Sequence, residues 1–138
     1  MHRFLLRVAF GCLVLLLAAS CGDDDTTGTS TLQLGDADAG RTVTVAKNAA
    51  VVIALTSNPS TGFGWSVRDP APAQLRSEGE PKFVAATAAS PVVGAAGTQV
   101  FTFRAVEQGS VNLTLDYARP FEKGVPPNKS WSVTIVVK

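Results

Sequence analysis

Residues 58–65 read NPSTGFGW and stand between two stretches that alternate like β-strands. The stretch before them, AVVIALT at 50–56, and the stretch after them, SVRD at 66–69, are both short and rich in β-formers. A tight turn needs only two or three residues of special backbone chemistry. This connection uses five and then adds two aromatic residues around Gly64. The stretch therefore predicts two strands joined by a loop of defined shape.

The composition of the loop indicates how that shape is held. Pro59 fixes its own φ and pushes Asn58 toward extended geometry. The Asn58 side chain can hydrogen-bond to nearby backbone, and Gly62 can supply a positive φ. We therefore expect a stiff loop that displays Ser60 and Thr61 at its tip.

The two aromatic residues that follow have different expected roles. Phe63 and Trp65 are separated by one residue, so both can point to the same face of a strand. We interpret Trp65 as a buried core tryptophan that anchors the loop, as in other immunoglobulin-like sandwiches. For Phe63, both a core position and a surface contact remain open.

Alternation with a period of two recurs through the rest of the chain, between runs of turn-forming residues. No helical period and no internal repeat are evident. The pattern predicts an all-β domain over residues 31–138, folded as an immunoglobulin-like antiparallel β-sandwich. The apolar members of the alternating runs are Val43, Val45, Val51, Ile53, Leu55, Phe101, Phe103, Val111, Leu113, Leu115, Tyr117, Trp131, Val133, Ile135 and Val137.

Three connections are longer than a turn requires: residues 57–64, a segment within 85–98, and residues 118–129. Their order along the chain matches the B–C, D–E and F–G connections of a Greek-key sandwich, which share one end. Loops on a rigid scaffold commonly form binding surfaces. We therefore expect one end of the domain to carry the function.

The N-terminal segment has the features of a bacterial export signal. Arg3 and Arg7 precede a short apolar run from about Val8 to Ala19, and small residues lead from there to Cys21. We interpret residues 1–20 as a lipoprotein signal peptide, Cys21 as the lipidation site and residues 21–30 as a flexible tether. The alternative is an ordinary signal peptide with a chance cysteine. The expected location is the cell envelope, with membrane attachment through the lipid and the leaflet left open.

Removal of residues 1–20 excludes several kinds of chemistry. His2 and Cys12 leave with that segment, and Cys21 would be acylated. The remaining domain then lacks the groups for a Ser-His-Asp triad, a Cys-His pair or a histidine zinc site. Of the 12 basic residues Arg3 and Arg7 are also lost, which leaves 10 against 11 acidic ones. We expect a monomer that is not an enzyme, needs no cofactor or metal and does not bind nucleic acid.

The longer connections also carry a family resemblance. NPSTGFGW resembles the N-P-x-T-G-[YF]-x-W motif of the chagasin-like inhibitors of papain-type cysteine peptidases. A G-x-x-G segment at 94–97 and Arg-Pro-Phe at 119–121 follow in the order that this family shows. Two positions depart from the usual pattern: Ala96 stands where a glycine is common, and Phe121 where tryptophan is usual.

The resemblance implies a reversible, non-covalent inhibitor whose three loops occlude the active-site cleft of papain-like cysteine peptidases. The alternatives are a lipid-anchored adhesion or structural module without inhibitory activity, and a protein that binds peptides without inhibiting. The natural target stays open. The residues that the resemblance assigns to the peptidase-binding loops are Asn58, Pro59, Ser60, Thr61, Gly62, Phe63, Gly94, Ala95, Ala96, Gly97, Arg119, Pro120 and Phe121.

Overall fold

Strands account for most of the regular structure in residues 29–86 and 94–138, the part of the chain that the computed structural model describes. The predicted signal peptide and most of the predicted tether, residues 1–28, lie outside it. Short 3-10 turns occupy Asp36–Asp38 and Pro59–Thr61. The strands are β1 Thr31–Gly35, β2 Thr42–Val45, β3 Ala50–Ser57, β4 Gly64–Val67, β5 Leu75–Ser77, β6 Lys82–Ala85, β7 Gly97–Ala105, β8 Gly109–Ala118 and β9 Lys129–Val137.

The strands form two sheets. One has the order β1-β3-β7-β5, with β6 also paired to β7, and the other has the order β2-β9-β8-β4. Their inner faces share one apolar core. The predicted all-β sandwich is therefore confirmed. No helix in the described ranges has the length and hydropathy that a membrane crossing requires.

The pairing directions differ from a purely antiparallel sandwich at two edges. β1 lies parallel to β3, and β2 lies parallel to β9, whereas the other described pairs are antiparallel. The chain passes from β1 into the other sheet as β2 and returns as β3. Because each crossing reverses the chain, the first and third strands point the same way.

The core consists of the inward members of the alternating runs. Val51, Ile53 and Leu55 of β3 face the other sheet and are fully buried. Burial of such a side chain contributes about 1.5–3 kcal/mol. Val43 is only half-buried, because β2 lies at the edge of its sheet. The other buried positions of the predicted pattern are Val45, Phe101, Phe103, Val111, Leu113, Leu115, Tyr117, Trp131, Val133, Ile135 and Val137.

The topology brings the three long connections to one end. β3 and β6 both run antiparallel to β7, so the chain leaves both strands at the same end of that sheet. The connection after β8 reaches the same place, because Arg119 contacts Thr61 in the connection after β3. The turn between β1 and β2 also lies there, since Asp36 accepts hydrogen bonds from the backbone N–H and the hydroxyl of Thr56.

Candidate functional site

Loop 1, residues 58–63, is shaped by its own side chains. The Asn58 carboxamide oxygen accepts from the Ser60 hydroxyl at 2.6 Å and from the Ser60 N–H at 3.3 Å. The Thr61 hydroxyl donates to the Asn58 carbonyl at 2.7 Å. Pro59 begins a 3-10 turn, and Gly62 ends it with a φ of 79°. Ser60 and Thr61 are exposed at the tip, with both hydroxyls used to hold the turn.

The base of loop 1 is aromatic. Phe63 stacks on Tyr117 with ring centroids 5.4 Å apart, and Trp65 packs on the same tyrosine at 5.0 Å. The Tyr117 hydroxyl accepts from the Asn58 N–H at 3.0 Å. Trp65 is 5% exposed, and its indole N–H donates to the Thr56 carbonyl. Trp65 thus lies in the core, and Phe63 is a half-buried part of the loop base.

Two polar side chains that the sequence analysis did not single out complete this base. The Gln99 carboxamide bonds to both the N–H and the carbonyl of Trp65, each at 2.9 Å. The Lys129 ammonium lies 5.1 Å from the Trp65 ring and 4.8 Å from the Tyr117 ring, within the range of cation–π attraction. The sequence could have indicated Gln99, because its position two residues before Phe101 on β7 places a polar side chain on the inward face.

Loop 2, residues 94–97, approaches the tip of loop 1. Gly94 has a φ of 82° and is exposed, and the Ser60 hydroxyl lies 3.4 Å from its carbonyl oxygen. Ala95 is half-buried and Ala96 is exposed. In the described residues Asn48 is the sole non-glycine with a positive φ, so an alanine fits position 96 without strain.

Gly97 has a different role from the rest of loop 2. It is buried, opens β7 and pairs with Ala85 of β6. A Cβ atom there would lie 2.6 Å from the Phe83 ring and would clash with the Val84 carbonyl oxygen. A glycine is therefore required by the close approach of β6 rather than by exposure to a partner. Residues 87–93, between β6 and this segment, lie outside the described part.

Loop 3, residues 119–128, contacts loop 1 through Arg119. Its Nε–H donates to the Thr61 carbonyl at 3.1 Å, its Nη1 donates to Glu122 at 3.0 Å, and its guanidinium lies 4.4 Å from the Phe63 ring centroid. The resemblance implied a residue that binds the peptidase. The structure shows that its Nε and Nη1 also hold loop 3 to loop 1 and to Glu122, and the contact with a peptidase stays a prediction.

The exposed apolar surface of loop 3 lies beside loop 1. Phe121 is 68% exposed, and its ring lies next to the backbone of Gly62, where a Cβ atom would be 3.3 Å away. Pro120 is also exposed, and Val125 is 58% exposed. A cavity of about 150 Å³ opens between Phe63 and loop 3. The arrangement offers an apolar contact surface at the loop end of the domain.

Acidic groups with shifted pKa values lie outside the three loops. Hydrogen bonds from Arg68 lower the pKa of Asp116, and hydrogen bonds from Arg104 lower that of Glu78. In residues 29–86 and 94–138, no three His, Cys, Asp or Glu side chains are grouped as metal ligands would be.

Comparisons with known proteins agree with this geometry. Residues 44–135 match the family described as chagasin family peptidase inhibitor I42. Amoebiasin-2 of Entamoeba histolytica is 29% identical over 97 residues, which cover 70% of this chain and 77% of that protein. The crystal structure of the cysteine protease inhibitor EhICP2 from Entamoeba histolytica is similar, with a TM-score of 0.70 and 25% identity over 79% of this chain and 96% of the other.

A second similar structure is PbICP-C, solved in complex with falcipain-2. It has a TM-score of 0.52 and 16% identity, and the match covers 79% of this chain and 99% of the other. At that identity the likeness concerns the fold alone.

Proposed function

Since the chain belongs to the chagasin family of peptidase inhibitors, we propose that it blocks papain-like cysteine peptidases reversibly by placing loops 1, 2 and 3 in the active-site cleft. It is an inhibitor of cysteine peptidases and not an enzyme, as its match to the family and its likeness to EhICP2 indicate. The family membership favours inhibition over an adhesion or structural role.

The contacts that join the three loops carry this proposal. The Ser60 hydroxyl lies 3.4 Å from the Gly94 carbonyl oxygen, and Arg119 donates to the Thr61 carbonyl. Tyr117 of β8 holds the base of loop 1 by accepting from the Asn58 N–H. Loops held in place before binding lose less conformational entropy when the complex forms. The loops at this end of the domain are therefore held in place before binding, as tight inhibition requires.

The chemistry of the loops supports occlusion without a covalent bond. From Gly22 onward the sequence has neither cysteine nor histidine. Phe121 supplies an exposed aromatic surface, a residue type enriched in interface anchors. Gly94 and Ala96 are exposed and small, so the backbone of loop 2 can approach a cleft wall closely. Binding would then depend on the shape of the cleft.

A titration of papain with the purified protein tests the proposal. Hydrolysis of a small substrate should fall to zero at one equivalent and return on dilution. The double variant Ser60→Ala, Thr61→Ala should weaken inhibition, because it removes the hydroxyls that hold the loop 1 tip. Ser110→Ala, an exposed serine on β8, is the matched control and should inhibit like the parent. Equal inhibition by the double variant would exclude the loop 1 tip from the binding surface.

We also propose that the protein is exported and anchored to the cell envelope through a lipid on Cys21. The support is the sequence: an apolar run ends in Leu17-Ala18-Ala19-Ser20-Cys21, and a short polar segment follows. Labelled fatty acid should enter the full-length protein in a bacterial host but not Cys21→Ala. Labelling of that variant would overturn the proposed anchor.

A further inference from the structure

Gln99 is a polar side chain at an inward position of the sandwich. It lies on β7 between Leu55 of β3 and Phe83 of β6, on the face that also carries Phe101. A polar group at such a position costs free energy unless its hydrogen bonds are satisfied. Its partners therefore indicate why a glutamine is present.

The Gln99 carboxamide takes the place of a neighbouring strand. β4 pairs with β8 on one side, and no strand is paired to its other side within the described ranges. On that other side, the Gln99 Oε1 accepts from the Trp65 N–H and the Gln99 Nε2 donates to the Trp65 carbonyl, both at 2.9 Å. One side chain thus satisfies both backbone groups of Trp65 across the gap between the two sheets.

The same carboxamide reaches both stems of loop 1. The Ser57 hydroxyl, just before the loop, lies 3.5 Å from Gln99 Oε1. Gly64, just after the loop, has its backbone close to the same oxygen, which would be 3.8 Å from a Cβ atom there. Gln99 follows Gly97 by two residues on the strand that carries loop 2. Gln99 therefore joins both stems of loop 1 to β7, the strand that begins at the end of loop 2.

We propose that Gln99 is a positioning residue that fixes loop 1 relative to loop 2 in the geometry that inhibits the peptidase. The inference rests on the proposed function for its effect on inhibition, but the effect on loop order is independent of it. A residue that merely stabilised the sandwich would change the melting temperature and leave the loops of the folded protein unaltered.

The first test compares two variants of similar stability. Gln99→Met keeps the length of the side chain and removes both hydrogen bonds to Trp65. Ile135→Val removes one methylene from a fully buried residue near the C-terminal end of β9, away from the loops. We expect Gln99→Met to weaken inhibition of papain roughly 10-fold or more, mainly through faster dissociation. Ile135→Val should change the inhibition constant less than about two-fold, although it lowers the melting temperature by a comparable amount to Gln99→Met.

A double-variant cycle separates positioning from general stability. If Gln99 positions loop 1, Ser60→Ala should weaken inhibition less in the Gln99→Met background than in the parent, because the loop is already displaced. Additive effects, or equal inhibition by Gln99→Met and the parent, would overturn the inference. Gln99→Asn, which keeps the amide but shortens its reach, serves as the second variant if Gln99→Met fails to fold.

Amide hydrogen exchange tests the same inference without a peptidase. Gln99→Met should exchange faster than the parent at residues 58–65 and 94–97, and Ile135→Val should not. If the parent fails to inhibit papain, the proposed function is rejected. If Gln99→Met still exchanges faster at these two segments, the positioning role is retained. Unchanged exchange at both segments would reject the positioning role whatever the inhibition.

Discussion

The Arg119 Nε–H and the Thr61 carbonyl oxygen lie 3.1 Å apart, so that loop 3 holds the tip of loop 1. The same guanidinium covers the Phe63 ring and donates to Glu122. This contact changes the expected effect of a substitution at position 119, because Arg119 acts on the shape of loop 1 in addition to any contact with a peptidase.

We predict that Arg119→Ala weakens inhibition about 10-fold and lowers the free energy of unfolding by about 1 kcal/mol or less, since the ion pair is partly exposed. Arg119→Lys should not restore inhibition, because an ammonium cannot donate in two directions from a planar group. Inhibition assays and urea denaturation measure both effects. Full activity of Arg119→Lys would show that charge alone is sufficient.

The aromatic residues Trp65 and Phe121 should separate stability from binding. Trp65→Ala should lower the free energy of unfolding by about 3–5 kcal/mol, because it opens a cavity beneath loop 1. Phe121→Ala removes an exposed ring and should change stability by less than about 0.5 kcal/mol while weakening inhibition. Phe121→Trp should keep inhibition. Denaturant titration and inhibition constants test the pair, and a stable, fully inhibitory Phe121→Ala would remove Phe121 from the binding surface.

The ion pair of Asp116 predicts a pH dependence of stability. Two hydrogen bonds from Arg68, and one from the Ser130 hydroxyl, hold the pKa of Asp116 below its usual value. A carboxyl whose pKa is lowered by folding stabilises the protein above its unfolded pKa of about 3.9 and loses that effect as the pH falls toward the folded pKa. Asp116→Asn should therefore melt below the parent at pH 7, and the difference should shrink below about pH 4. A constant difference across that range would contradict this assignment.

The fold could largely be predicted from sequence, because inward residues such as Ile53 and Leu113 alternate clearly with polar ones. The parallel pairing of the edge strands β1 and β2 could not be predicted. Alternation indicates which face of the sheet a residue occupies, but it does not indicate the direction of the neighbouring strand. The conformation of Asn58, Pro59 and Gly62 was also predictable, because it depends on local backbone chemistry.

The contacts between the loops could not be predicted from the sequence. Gln99 and Arg119 act across 34 and 58 residues of chain, on Trp65 and Thr61 respectively. Such contacts depend on how the two sheets stack, which no local motif encodes. Gly97 illustrates the same limit, since its glycine is explained by the approach of β6 and not by the G-x-x-G pattern alone.

In the proposed mechanism the three loops occlude the cleft without reacting with the peptidase thiol. Binding of the protein to papain whose active-site cysteine carries a small methylthio cap tests this mechanism. Calorimetry with capped and free enzyme should give one-to-one binding in both cases, with a loss of affinity of about 10-fold or less on capping. Mass spectrometry should recover the inhibitor intact. Abolished binding to the capped enzyme, a covalent adduct with the free enzyme, or cleavage within residues 58–65 or 94–97 would contradict non-covalent occlusion.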